Sequence, residues 1–516
     1  MKVIKRDGTL QDFNIKKPVN AVMQVYKKSL KTEVPQGIVD VFTEQMQKFA
    51  DKKGDKEVNI EEIQDFIRDF LMKKDKEAAE KFVLYREDRT RYREARSKLF
   101  KNIEEKLYAK NIQNQNANVD EASFGGRMGE SMSCFLKQYA LNNCMSKMSR
   151  DNHIKGYIYI HDLDSYPVGM HNCLSIPFDK LLKNGFKTKQ ADVRGANSIN
   201  TAFQLVAVIF QLQSLQEFGG VSATHLDWTM VPYVRASFYK HYNNICDTIP
   251  FCSRYKVNID TCKMNELSID DKTFTGHHNP LMKRIHDKAI ERTTAEIEQA
   301  AEGLYHNLNT LQSRSGNQLP FTSINFGTCT SREGRMVIKA LIEGLINGVG
   351  QYHSTSIFPC AIFQYMKGVN DKPGTPNYDM YRLSLKSTAK RIYPNYANVD
   401  WSGNAGYDVN DPKTYFSTMG CRTANGYDIN ANPGVNPQTK DGRGNICPVT
   451  IILPKIAMEA KLKFPDDEDA RVLEFQNKLE QKINEAKDML IERFNWICSQ
   501  KPESAQFMYE NGTMEG

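Results

Sequence analysis

No apolar run in the chain approaches the roughly 18 residues that a membrane-spanning helix needs. The opening residues Met1-Lys2-Val3-Ile4-Lys5-Arg6-Asp7-Gly8 contain no apolar core of a secretory signal, so a cytoplasmic protein is expected. The 11 cysteines are odd in number and scattered, and no two stand in a Cys-x-x-Cys pair. That spacing argues against a disulfide framework and against a cysteine-only zinc site; reduced, mostly buried thiols are expected and no metal ligand is assigned. No repeat of solenoid period occurs. Charge of one sign is also scarce: a net +7 over 516 residues is mild, and in Arg86 to Arg96 basic residues alternate with acidic ones. Such mixing describes a solvated helix face, which argues against nucleic acid as a partner, while a modest positive balance still suits a small polyanion such as a nucleoside triphosphate.

What is present is an ordinary globular composition, 40% hydrophobic and 25% charged, in a chain long enough for two to four domains. Residues 1–95 read as a small separate unit. Short strands at Val3-Ile4 and Leu10 to Phe13 flank the turn Arg6-Asp7-Gly8, and helices follow. Asn59 and Glu62 have capping-box spacing, and Ile60, Ile63, Ile67 and Phe70 or Leu71 repeat with helical period behind them. Residues 96–120 are expected to be a linker, since Ile112 to Asp120 is rich in Asn and Gln. From 121 to 516 apolar runs alternate with longer helices, the pattern of an α/β domain. Strands are expected at Tyr157–Ile160, Phe321–Phe326, Ile357–Tyr365 and Ile446–Leu453. Helices are expected at Thr294–Leu311 and Ala470–Cys498, and residues 400–445 should form a long functional loop.

Several segments carry candidate chemistry. Lys5-Arg6-Asp7-Gly8, with Val3 before it, offers turn amides and two cations that can cradle a triphosphate, although an Asp-Gly turn is more often only a turn. His161 and Asp162 at a strand end invite a metal or acid–base role. The simpler reading, that they bond each other and order a loop, is preferred because no third ligand stands at a useful spacing. Cys173 follows a short polar loop. Cys421 lies between Gly420 and Arg422 in the long loop, where a reactive thiol is more plausible than a packing one. Gly442-Arg443-Gly444-Asn445 brings an amide to the mouth of an apolar strand, a usual place for a substrate-orienting group.

Val3-Ile4-Lys5-Arg6-Asp7-Gly8 at the start, then helices, then Phe82-Val83-Leu84-Tyr85-Arg86-Glu87 resembles the ATP-cone, a regulatory nucleotide-binding module that also occurs in a repressor of reductase genes. Further on come His161-Asp162-Leu163-Asp164, Asn172-Cys173, Arg194-Gly195-Ala196, Thr201 to Leu205, Phe321 to Thr328, Ile357-Phe358-Pro359, Tyr393 to Tyr396 and Met419-Gly420-Cys421-Arg422. In this order they resemble the anaerobic, class III ribonucleoside-triphosphate reductases, over nearly the whole chain.

The resemblance implies a ten-stranded α/β barrel of two five-stranded halves, with a threading loop, behind a small mostly helical ATP-cone. It implies that Cys421 carries a transient thiyl radical that abstracts the ribose 3′ hydrogen, that Cys173 supplies hydrogen and thiol for reduction at C2′, and that Asn445 is the amide beside the substrate. It further implies ATP and dATP as effectors, ribonucleoside triphosphates as substrates, and formate or a thiol protein as reductant. A radical S-adenosylmethionine activating enzyme and a homodimer or higher oligomer belong to the same expectation.

Members of the family end in a four-cysteine zinc site and a glycyl-radical segment, and these 516 residues contain neither. The expectation is therefore a shortened chain, one product of a split gene whose second polypeptide carries that segment, or a frame-interrupted copy. A non-catalytic nucleotide-binding scaffold or regulatory remnant is the alternative. A glycyl-radical lyase is disfavoured, because it has no use for an ATP-cone.

Overall fold

The computed structural model describes residues 1–5, 9–108, 123–258, 266–276, 279–313, 318–419 and 423–514, with backbone alone for 88–98. The chain divides into two units, Met1–Asn102 and Ile103–Gly516.

In the first unit, β1 (Lys2–Ile4) pairs antiparallel with β2 (Leu10–Asp12) and parallel with β3 (Glu57–Asn59). The Lys5 N–H donates to Thr9 O (2.8 Å) at the neck of the β1–β2 turn. Four helices follow or intervene: α1 (Lys16–Gln24), α2 (Gln36–Lys53), α3 (Ile60–Lys74) and α4 (Lys76–Leu107). Asn59 caps α3 as expected, its side chain accepting from the Glu61 N–H at 2.9 Å. The helical-period residues Ile63, Ile67, Phe70 and Leu71 are all buried, packed with Tyr26, Phe42 and Phe82. Each such side chain is worth roughly 1.5–3 kcal/mol of burial, so this stripe holds the unit together. Residues 96–107, expected to begin a linker, are the last turns of α4. No glycine or proline lies between Asp75 and Leu107 to stop the helix, and 109–120 lie outside the described residues.

The second unit is built on a five-stranded parallel sheet. Its strands are β5 (Leu174–Ser175), β8 (Val221–Ala223), β9 (Thr322–Phe326), β10 (Cys360–Tyr365) and β11 (Asn395–Asn398), side by side in that order. The remaining described strands pair two by two. They are β4 (Ile158–Ile160) with β14 (Val449–Ile451), β6 (Phe186–Lys187) with β7 (Asp192–Val193), and β12 (Thr418–Met419) with β13 (Thr423–Ala424), each antiparallel. The sheet has the strand count of one half of the expected ten-stranded barrel; a second parallel half is not found among the described residues.

Alternation along the strands decides what each face of the sheet meets. Val221, Ala223, Ile324, Phe326, Ala361 and Phe363 share one core with the helices Ile199–Gln213, Pro280–Thr310 and Arg332–Asn347. The expected helix at Thr294–Leu311 is the second half of Pro280–Thr310. Ile297, Ala301, Leu304 and Leu308 are buried on it, whereas Leu311 lies past its end and is 48% exposed. The other parity is mostly polar and equally buried: Ser175, Ser222, Ser323, Asn325 and Gln364, with Ile362 among them. A dry polar face needs partners, and the long loop supplies them. Among the described residues no helix is long and apolar enough to cross a membrane.

Candidate functional site: a cationic pocket and a buried thiol

The first unit contains a cavity of about 710 Å³, a size ordinary for a ligand site. Val3 and Lys5, both expected to contact nucleotide, line it, whereas Arg6, Asp7 and Gly8 lie outside the described residues. Lys17, Lys28 and Arg86 also face it, so among the described residues the wall carries four cations against the one carboxylate of Asp12. Arg86 is held by Asp65 (2.8 Å) and by Glu61. Burial disfavours the guanidinium's charge, but these two carboxylates outweigh burial and raise its pKa. Sequence reasoning missed Lys17 and Lys28 because surface lysines carry no motif. Arg86 stood within a quoted segment and was legible there.

In the second unit Cys173 directly precedes β5 and is 5% exposed. Its S–H donates to Asn172 Oδ1 (3.0 Å), and its sulfur accepts from the Gly220 N–H (3.2 Å). Residues 172–175 run antiparallel to 442–445. Asn172 N–H donates to Asn445 O (3.1 Å), Asn445 N–H to Cys173 O (3.1 Å), Ser175 N–H to Arg443 O (2.9 Å), and Gly442 N–H to Ser175 O (2.8 Å). This ladder carries the Asn445 side chain onto the thiol segment. Its Oδ1 accepts from the Cys173 N–H (2.9 Å), and its Nδ2 donates to Asn172 Oδ1 (3.3 Å). The approach is so close that a Cβ at Gly444 would overlap the Cys173 carbonyl, and one at Gly219 would overlap the Asn172 carbonyl. Two residues 272 positions apart are thereby joined at one spot.

Cys421 lies outside the described residues, but both strands that flank it are described. On the polar sheet face, Asn325 Oδ1 accepts from the Thr418 N–H (3.1 Å), while Asn325 Nδ2 and Ser222 Oγ donate to Thr418 O (3.1 and 2.9 Å). Gln364 Nε2 donates to Phe416 O (3.0 Å). On the return side, Asn425 Nδ2 donates to Ser175 Oγ (3.2 Å) and to Lys440 O (2.9 Å). The loop expected at 400–445 is thus fastened to the sheet by amides that no periodicity reveals.

His161 and Asp162 each have a partner outside the expected pair. His161 Nε2 meets Thr450 Oγ1 (2.7 Å), and the Asp162 carboxylate accepts from Asn172 Nδ2. Asp179, His225 and Asp441 form a cluster whose ligand-type atoms lie within 4.8 Å of one another, a spacing that a cation fits. Protein partners already engage it: His225 Nε2 meets Asp179 (3.2 Å) and Nδ1 meets Thr224 Oγ1 (2.6 Å), while Asp179 also accepts from Thr229 (2.6 Å). Burial pulls the imidazole pKa down, but Asp179 and Asp441 outweigh it and raise it to about 9. The cluster thus joins the buried His225 and Asp441 to the half-exposed Asp179 through protein hydrogen bonds and charge. Among the other thiols, burial pushes Cys329 up to about 12 and Cys246 up to about 11, as packing cysteines should be; Cys498 is exposed instead.

Residues 115–516 match the family described as anaerobic ribonucleoside-triphosphate reductase, and residues 1–91 match the ATP cone domain. The anaerobic ribonucleoside-triphosphate reductases of Haemophilus influenzae and Escherichia coli are each 29% identical over 99% of this chain, and that of phage T4 is 26% identical over 78%. The chain spans 65% of the length of the two bacterial relatives and 59% of the phage protein. The crystal structure of the Thermotoga maritima anaerobic ribonucleotide reductase in complex with dATP and CTP superposes with a TM-score of 0.52 at 16% identity, over 82% of this chain and 65% of that one. At that identity the likeness speaks for the fold alone. With its family match over most of its length, the chain belongs to the anaerobic ribonucleoside-triphosphate reductase family and carries an ATP cone domain at its N-terminus.

Proposed function

We propose that this chain provides the substrate-reducing centre and the nucleotide-responsive module of an anaerobic reductase that converts ribonucleoside triphosphates to 2′-deoxyribonucleoside triphosphates. The observation that carries the reading is the buried Cys173 thiol, bonded through Asn172 to Asn445 beside a loop that also bears Cys421. A thiol whose hydrogen is bonded to Asn172 Oδ1 and whose sulfur is engaged by an N–H is held in one orientation, which supports its use as a hydrogen donor. In this reading Cys421 takes the ribose 3′ hydrogen, Cys173 supplies hydrogen and thiol at C2′ as the 2′ hydroxyl leaves as water, and the Asn445 amide orients the sugar. The electrons come from formate or a thiol protein. A glycyl radical, installed by a radical S-adenosylmethionine enzyme, is the group that would start the chemistry by drawing a hydrogen atom from a thiol. The burial of Cys173 suits such chemistry, because bulk water is kept from the thiol.

The 710 Å³ pocket with its four cations is the proposed seat of ATP or dATP. The module would shift an equilibrium between oligomers or active-site states, with a coupling of about 1–3 kcal/mol.

Calorimetry with ATP, dATP and CTP, together with product analysis in a radical-competent preparation, tests the proposal. Wild type should bind ATP or dATP and, when a polypeptide carrying the glycyl-radical segment is supplied, form deoxynucleotide. Cys173→Ser should form none and bind effectors as wild type does, and Lys17→Ala/Lys28→Ala should bind effectors at least tenfold more weakly, the loss of about 1.4 kcal/mol or more of charge-assisted contact. Wild-type turnover by Cys173→Ser would end the proposal.

A further inference from the structure

We infer that Asp162 is a positioning residue for the Cys173–Asn445 pair and acts through the side chain of Asn172. The consequence for catalysis rests on the reductase reading; the geometry does not.

A carboxamide has two ends of nearly equal shape, one accepting and one donating, and its partners decide which way it faces. The oxygen end of Asn172 meets two donors, the Cys173 S–H (3.0 Å) and Asn445 Nδ2 (3.3 Å). Its nitrogen end meets the Asp162 carboxylate. An ionised carboxylate only accepts, so it rejects the turned amide, and Asn172 is left with its oxygen toward the thiol and the second amide. The direction then propagates: with Nδ2 of Asn445 committed to Asn172, its Oδ1 faces the Cys173 N–H at 2.9 Å. The carboxylate from one end and the fixed Cys173 N–H donor from the other thus set the sense of the polar contacts around the thiol.

Asp162 is itself held in a way that fits the task. It has φ +50°, in the left-handed region that aspartate tolerates better than most residues. The turn after β4 is closed by Ser165, whose N–H (3.0 Å) and Oγ (2.7 Å) both donate to Asp162 O. Arg493, only 2% exposed on the helix Glu468–Cys498, donates to His161 O (2.9 Å) and to Ser165 Oγ (3.1 Å). A buried guanidinium from one of the last helices therefore braces the turn that aims the carboxylate.

The test is the pH profile of Cys173 alkylation in the full chain, read by peptide mass mapping in wild type, Asp162→Ala and Asp162→Asn. In Asp162→Ala nothing at the far end rejects the turned Asn172, so once Cys173 ionises the amide can bring its NH2 to the sulfur. The thiolate then gains the Asn172 NH2 as a donor beside the Gly220 N–H, and the alkylation midpoint falls by roughly one pH unit. Asp162→Asn, which can still accept but no longer rejects the turned form, should fall between. Cys246 and Cys329, both buried in other parts of the unit, report on the fold and should stay protected. An unmoved Cys173 midpoint in Asp162→Ala with those two protected overturns the inference. If Asp162→Ala exposes all three thiols, Asp162→Asn decides, and an unshifted midpoint there overturns it too. Failure of the reductase reading would show instead as absent nucleotide binding and turnover in wild type, leaving the alkylation profile as it stands.

Discussion

Replacing Asn325 with alanine should loosen the hairpin that bears Cys421 far more than it loosens the molecule. Asn325 is fully buried on the polar face of β9, and its amide makes four contacts: with Ser222 Oγ (3.2 Å), Ala223 O (2.9 Å), Thr418 O (3.1 Å) and the Thr418 N–H (3.1 Å). In Asn325→Ala, Thr418 O keeps the Ser222 hydroxyl at 2.9 Å, whereas the Thr418 N–H loses its Asn325 acceptor. A buried donor left unmade costs about 1–3 kcal/mol, and the space vacated by the amide adds roughly another 1. The sum, about 2–4 kcal/mol, falls on the local opening of β12 from the sheet. Amide exchange at Thr418 should therefore quicken by roughly 30- to 1000-fold, since each 1.4 kcal/mol is a factor of ten. Exchange in the Pro280–Thr310 helix should change far less. Hydrogen exchange with mass readout of peptides spanning 410–425 measures this directly. Unchanged exchange at Thr418, in a variant whose β9 and β10 amides also stay protected, would show that the amide does not hold the hairpin and would refute the reasoning.

Two further outcomes follow from the site. Gly444→Ala puts a methyl against the Cys173 carbonyl, so the 172–175 and 442–445 segments must separate; the variant should lose about 2 kcal/mol or more of stability in chemical denaturation and alkylate faster at Cys173. Wild-type behaviour on both counts would contradict the close approach. His225 has its pKa raised to about 9 by Asp179 and Asp441 against burial, so its stabilising contribution is complete below about 6.5 and disappears as pH rises through 9. Asp179 works in the opposite sense: burial opposes its charge, but His225, Thr229 and Lys413 outweigh burial and hold it well below the usual carboxylate range, so its contribution is present at neutral pH and lost only in strong acid. The stability advantage of wild type over His225→Gln, on the order of 3 kcal/mol and shared with the carboxylates, should shrink between pH 7 and 9.5 in melting curves; a constant difference would exclude a charged His225.

The helices and strands were largely legible from local pattern. The Asn59 cap and the Ile63, Ile67, Phe70, Leu71 stripe mark α3, and the apolar runs ending at Phe326 and Tyr365 mark the two central strands. Periodicity suffices there because it reports which face of an element is dry. The α4 helix ran past its expected end, since composition alone does not stop a helix that lacks glycine, proline or a competing cap. Cys173 and Asn445 stood out through the resemblance of their segments, and the structure joins them.

Other relations were not legible. Asp162 aiming Asn172, Asn325 and Gln364 fastening the loop, Asp179 and Asp441 charging His225, and Lys17, Lys28 and Arg86 gathering around one pocket all depend on residues far apart in the chain. The sequence by itself determined where apolar faces must be buried and which segments carry thiols and amides, because those properties belong to a residue and its near neighbours. Tertiary structure decided which polar atoms meet once those faces are buried, because a hydrogen bond between distant residues is specified to tenths of an ångström by packing and leaves no period behind.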